Sequence, residues 1–75
     1  MGGRIKTMQL MQSLAMLTQT GTVSTEVMHG IVTKYMQKRS YNTEEVILEL
    51  CKLEVPEDKM DVLALVCDTI RAKAQ

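Results

Sequence analysis

The sequence predicts an all-α protein, a small bundle of about four short amphipathic helices. Three observations support this prediction. Apolar residues recur at the three- and four-residue spacing of a helix through most of the chain. Residues that begin or end helices, among them Gly21, Asn42 and Pro56, separate these periodic stretches. No stretch alternates apolar and polar residues with the period of two that is typical of a strand.

The chain has 75 residues, enough for one small domain over residues 1–75. The first helix is predicted at about 4–19, where apolar residues from Met8 to Leu17 form a broad arc. Gly21 suits the C-terminus of that helix, and Ser24 suits the N-cap of the next. The second helix is predicted at 25–39. Its first turn holds Glu26, which matches the helix dipole.

Asn42 and Glu45 have the spacing of a capping box, so a third helix is predicted at 43–53. Pro56 suits the first turn of a fourth helix, predicted at 56–73. Within that helix the segment "MDVLALVCDTI" is apolar over more than half of its circumference, whereas a surface helix needs a stripe of roughly 100°. We therefore expect the bundle to be completed by dimerisation. The candidate interface lies on the second and fourth helices and comprises Met28, Met36, Met60, Leu63, Cys67 and Ile70.

The composition favours some classes of function over others. Nine basic and nine acidic residues cancel, whereas nucleic-acid-binding proteins usually carry a basic excess. Nucleic acid is therefore disfavoured as a partner but is kept as an alternative, with Lys34, Lys38 and Arg39 as candidate phosphate contacts and Arg4 and Lys6 completing the patch. No apolar run is long enough to span a bilayer, and the start "MGGRIKTMQ" lacks the apolar core of a secretory signal. We expect a cytoplasmic protein with no membrane partner.

No catalytic, cofactor-binding or metal-binding set can be assembled from the sequence, so neither an enzyme activity nor a cofactor is predicted. His29 is the only histidine and has no nucleophile or orienting partner that the sequence can nominate. Cys51 and Cys67 are separated by 15 residues and match no zinc spacing. Both are expected to be reduced, buried and slow to react.

The segments "STEVMHGIVTKYMQKRSYNTEEVILELCKLE" and "MDVLALVCDTI" resemble the AriR-type small connector proteins of bacteria, which act in biofilm and acid-resistance signalling. The shared features are a helix with E-V, I-V and M, an Asn-led helix that ends in L-E, and a last helix that opens with D-V. The resemblance covers about the last 50 residues and leaves "GRIKTMQLMQSLAML" unmatched. It implies a dimeric, helical interaction protein without catalysis.

The first functional hypothesis is a non-enzymatic protein–protein interaction or regulatory module that docks partner helices on an apolar, Met-rich surface. Seven methionines and only two aromatic residues favour such an adaptable surface. One alternative is a nucleic-acid-binding regulator that uses the basic patch. Another is an assembly domain excised from a larger protein.

Overall fold

The computed structural model describes residues 3–74. Met1 and Gly2, the first two residues of the segment "MGGRIKTMQ", and Gln75 lie outside this range. The elements follow the order β1 (Arg4–Lys6), α1 (Thr7–Gln19), α2 (Thr25–Lys34), β2 (Ser40–Asn42), α3 (Thr43–Cys51) and α4 (Met60–Lys73). A single 3₁₀ turn over Glu57–Lys59 leads into α4. The chain is thus mostly helical, with four helices and one small sheet.

The two strands form an antiparallel ribbon, which the sequence did not predict. Ile5 pairs with Tyr41, and Lys6 pairs with Ser40. The ribbon is extended at both ends by backbone bonds, one from Thr7 N–H to the Arg39 carbonyl and one from Thr43 N–H to the Gly3 carbonyl. Because α1 and α2 lie between the strands in the chain, the ribbon ties the start of α1 to the start of α3.

The helix ends follow from local chemistry. Gly21 terminates α1 with φ 73°, a left-handed conformation. The N–H groups of residues 20–23 bond to carbonyls in the last turn of this helix. The Ser24 hydroxyl accepts a hydrogen bond from Val27 N–H at 3.2 Å and caps α2. The Asn42 side chain accepts one from Glu45 N–H at 3.2 Å and caps α3. Both caps were predicted from the sequence.

Helix α4 packs against α1, α3 and β1. Its buried residues are Leu63, Val66, Cys67 and Ile70. They meet Leu10, Leu14 and Leu17 of α1, Val46, Ile47 and Leu50 of α3, and Ile5 in one apolar cluster. Burying this much apolar surface is the main favourable term for a chain of this size.

Several expectations are corrected by these elements. Residues 4–6 are a strand, so the first helix begins at Thr7 rather than Arg4. The second helix ends at Lys34, five residues early, because residues 35–39 turn the chain back towards β1. The third helix ends at Cys51, and the regular part of the fourth begins at Met60 rather than Pro56. No helix in residues 3–74 combines the length and the apolar character needed to cross a membrane.

Candidate functional site

A surface cleft of about 400 Å³ opens between the end of α2, the following turn and α3. We call it the α2–α3 cleft. Its apolar lining consists of Tyr35, Tyr41, Val46 and Leu48. Its polar lining consists of Lys34, Gln37, Lys38, Glu45, Glu49 and Lys52. Four apolar or aromatic side chains and five charged ones therefore meet in one concavity, which makes it a candidate binding site.

The two tyrosines give the α2–α3 cleft its shape. Their rings meet edge to face, with centroids 4.9 Å apart and an interplanar angle of 89°. The Tyr41 hydroxyl accepts hydrogen bonds from the backbone N–H groups of Gln37 and Lys38, both at 2.9 Å. One phenol therefore holds the turn that forms the upper wall of the cleft. Tyr41 itself is positioned by its pairing with Ile5 across the ribbon.

Charges line the α2–α3 cleft unevenly. The Lys34 ammonium lies 3.4 Å from a Glu49 carboxylate oxygen and spans the cleft from α2 to α3. Both side chains are about half exposed, so this pair contributes little to stability. Among residues 3–74, Lys38 and Lys52 form no ion pair. Two cations of the cleft are therefore available to a ligand.

One exposed apolar side chain lines the α2–α3 cleft, and a second lies in the neighbouring turn. Leu48 lines it and is 62% exposed, and Met36, in the turn above, is 64% exposed. The exposed residues of α3 are Glu44, Glu45, Leu48 and Cys51, so Leu48 is an apolar group on a partly charged face. Single exposed apolar residues are ordinary on protein surfaces. Leu48, however, lies beside the apolar lining of the cleft and adds to the apolar surface that a partner could bury.

A second surface is basic. The ribbon brings Arg4 and Lys6 beside the turn that carries Lys38 and Arg39, and all four side chains are exposed. The Arg4 guanidinium donates to the Ser40 hydroxyl and carbonyl, both at 3.0 Å. We call these four residues the basic ribbon. None of them forms an ion pair within residues 3–74.

The candidate interface residues separate into two groups. Met36 and Met60 are exposed, whereas the other four are buried within the chain itself: Met28, Leu63, Cys67 and Ile70. The face of α4 that carries Leu63, Val66, Cys67 and Ile70 is covered by α1, α3 and β1, whereas Met60 and Leu65, at the edge of the predicted apolar arc, stay exposed. Self-association stays a prediction.

The candidate phosphate contacts also separate. Lys34 turns to Glu49 in the α2–α3 cleft, while Lys38 and Arg39 lie next to the ribbon. Arg4 and Lys6 lie on the neighbouring strand β1. Phosphate binding by this set of residues stays a prediction. His29 is exposed on α2. Within residues 3–74 no group of three or more His, Cys, Asp or Glu side chains could hold a metal ion.

The cysteines differ from the prediction in one respect. Both are free, but only Cys67 is buried, while Cys51 is exposed at the end of α3. Helical periodicity placed Cys51 in the core because it continues the apolar face that carries Ile47 and Leu50. Its last residue instead faces the gap between α3 and α4.

Of the ten residues that line the α2–α3 cleft, sequence reasoning named only Lys34 and Lys38 as candidate site residues and missed the other eight, among them Leu48 and Tyr41. Leu48 had an available signal, since it lies among Glu44, Glu45 and Glu49 on the polar side of a helix. Tyr41 had none, because its role depends on a strand pairing between segments 36 residues apart.

No family model matches this chain, and no curated protein or solved structure matches it. The resemblance to AriR-type connector proteins therefore stays a prediction.

Proposed function

We propose that this protein is a non-enzymatic protein-interaction module whose α2–α3 cleft docks a helix of a partner protein. The partner helix inserts an apolar side chain beside Leu48 and places an acidic residue near Lys38 and Lys52. The observation that carries the proposal is this conjunction of an apolar floor, an exposed leucine and two unpaired cations in one cleft.

The volume and the chemistry of the cleft support this choice of occupant. A space of about 400 Å³ accommodates one or two apolar side chains, as expected for anchor residues on one helix face. Charge complementarity at the rim selects the partner and speeds the encounter more than it adds affinity.

The test compares two leucine truncations. The protein is immobilised and used to capture partners from a lysate of its source cells, and the contact is mapped by cross-linking and mass spectrometry. Leu48→Ala should lower the retained partner at least about tenfold, the size of effect that one apolar anchor produces. Leu65→Ala on α4, where the native leucine is 54% exposed, is the matched control and should retain the partner fully.

The charge component has its own pair of variants. Lys38→Ala should weaken capture, and the loss should be larger at low than at high salt. Lys73→Ala, at the far end of α4, should leave it unchanged. Capture that survives Leu48→Ala, or cross-links that map away from residues 34–52, would contradict the proposal. If the captured species is a second copy of this chain, the site is a self-association surface instead.

A second candidate function is binding of nucleic acid by the basic ribbon. The specific observation in its favour is the strand pairing, which gathers Arg4, Lys6, Lys38 and Arg39 on one surface. Affinity for nonspecific DNA and RNA should then fall with salt concentration, with a slope of about −0.9 per phosphate contacted on duplex DNA. Neutralising Arg4 and Arg39 should flatten this slope. Neutralising Lys34, which is paired with Glu49, should change it less.

A further inference from the structure

The two cysteines lie on opposite walls of a second cleft. Cys51 is the last residue of α3, and Cys67 lies in the middle of α4. Both line a cleft of about 300 Å³ between these helices, together with Met60 and Leu63. The nearby Cys51 thiol is one of the causes that raise the pKa of Cys67. The two free cysteines therefore face one shared cleft.

The two thiols differ in accessibility. Cys51 is exposed, whereas Cys67 is only 6% exposed. Burial raises the pKa of the Cys67 thiol most, and the charge of Cys51 raises it further, while nearby Arg71 opposes both. Cys67 thus keeps its proton while Cys51 meets solvent. One accessible thiol next to one protected thiol is the arrangement in which an oxidised cysteine is resolved by its neighbour.

We propose that Cys51 and Cys67 form a modification site at which a hydroperoxide converts the dithiol to an intramolecular disulfide. The Cys51 thiolate attacks one peroxide oxygen, so that an S–O bond forms, the O–O bond breaks and the other oxygen leaves as water or an alcohol. The Cys67 sulfur, losing its proton, then attacks the Cys51 sulfenic acid. The S–S bond forms, the S–O bond breaks and a second water leaves.

The atoms and electrons of this sequence balance. Two thiols lose two electrons and two protons, and one hydroperoxide is reduced. The product joins the end of α3 to the middle of α4 across their shared cleft, and closes a loop that contains the 3₁₀ turn at residues 57–59. Because a cross-link restricts the unfolded chain, the oxidised protein should melt at a higher temperature than the reduced one.

The test treats the native, reduced protein with hydrogen peroxide and follows intact mass. The wild type should lose the mass of two hydrogen atoms while staying monomeric, and a thiol reductant should restore it. Cys67→Ser should instead accumulate a sulfenic acid on Cys51, trapped by dimedone, or a disulfide between two chains. Cys51→Ser, the control for the order of events, should react far more slowly than the wild type.

Peptide mapping of the wild type keeps the test decisive if a serine variant fails to fold. A peptide pair joined through Cys51 and Cys67, formed under native conditions, supports the proposal. Three results would overturn it: two free thiols after excess peroxide, oxidation of Cys51 beyond the sulfenic acid with Cys67 still free, or linkage only between chains. The same reaction run in denaturant shows whether the fold accelerates it.

Discussion

Gly21 and Gly30 occupy opposite conformational environments, and a methyl group should have opposite effects at the two positions. Gly21 has φ 73°, a left-handed conformation that costs an L residue about 1–2 kcal/mol. Gly30 lies inside α2, and an added Cβ meets no atom within 4 Å at either glycine. Gly21→Ala should therefore lower the free energy of unfolding by about 1–2 kcal/mol. Gly30→Ala should raise it by about 0.5–1 kcal/mol, because glycine is a poor helix former.

Urea denaturation of the two variants checks this prediction, with each serving as the control for the other. Both substitutions add the same group to an open position, so side-chain packing does not separate them. If both variants change the free energy of unfolding equally and in the same direction, the left-handed backbone at residue 21 does not determine the effect of replacing Gly21.

Tyr35 should make stability fall at alkaline pH. Burial raises the pKa of its phenol above 10.0, and the nearby carboxylates of Glu49 and Glu45 raise it further. The folded protein therefore retains this proton at a pH where the unfolded chain has lost it. The stability that this difference provides is complete below pH 10 and is lost as the pH rises through the folded pKa.

Replacing Tyr35 with phenylalanine removes this dependence. Near neutral pH, Tyr35→Phe should leave the free energy of unfolding almost unchanged, since the Tyr35 hydroxyl has no hydrogen-bond partner within residues 3–74. Above pH 10 the variant should lose less stability than the wild type. Urea midpoints of both proteins across this range measure the difference. If the urea midpoints of the two proteins fall in parallel above pH 10, the loss of stability comes from another group, such as Cys67, whose pKa is also raised.

At the scale of elements, the features that depend on neighbouring residues were predicted from the sequence, and those that depend on distant residues were not. Ser24 and Asn42 were identified as caps because the groups they bond lie three residues away, and both bonds are present. The strands were missed because each has three residues, too few to reveal a period of two. Their pairing joins distant segments, and the apolar Ile5 fitted the helical pattern that follows it equally well.

The same distinction applies to the α2–α3 cleft. Its α3 wall lies on a predicted helix, so Leu48 could have been placed on the exposed face in advance. Its other wall is a turn held by Tyr41, whose position follows from the strand pairing. Basic residues near Lys38 were found by composition, but only the ribbon shows that Arg4 and Lys6 lie beside them.

Removing the Tyr41 hydroxyl should loosen this turn while leaving the helices intact. Tyr41→Phe keeps the ring beside Tyr35 but removes the acceptor for the N–H groups of Gln37 and Lys38. The loss of stability should be about 1–3 kcal/mol, because two hydrogen bonds with a net value of about 0.5–1.5 kcal/mol each are removed. Hydrogen exchange at residues 37 and 38 should become faster, while exchange within α1 and α4 changes only with global stability. Unchanged exchange at these two amides would show that the turn is held by other contacts.

At the scale of the whole molecule, zero net charge conceals a separation of charge. The first 43 residues contain five basic and one acidic residue, and residues 44–75 contain four basic and eight acidic ones. The basic ribbon is built from the first part, whereas α3 and the approach to α4 carry most of the carboxylates. A low net charge therefore says little about what one surface of this molecule attracts, since encounter depends on the local field.

The enclosure of α4 leads to a prediction about the whole fold. Leu63 is 9% exposed and belongs to the central cluster, whereas Leu65 on the same helix is 54% exposed. Leu63→Ala should lower the free energy of unfolding by about 2–5 kcal/mol, and Leu65→Ala should change it by less than about 0.5 kcal/mol.

Because α1, α3 and β1 cover Leu63 and the other buried residues of α4 within one chain, both values and the wild-type urea midpoint should be independent of protein concentration. A midpoint that rises with concentration would show instead that a second copy completes the core, since association stabilises a fold by mass action. Sedimentation at the same concentrations separates two forms of association. If a second copy completes the core, the loss of stability caused by Leu63→Ala depends on protein concentration. If the dimer forms through another surface, the chains associate but that loss of stability stays the same.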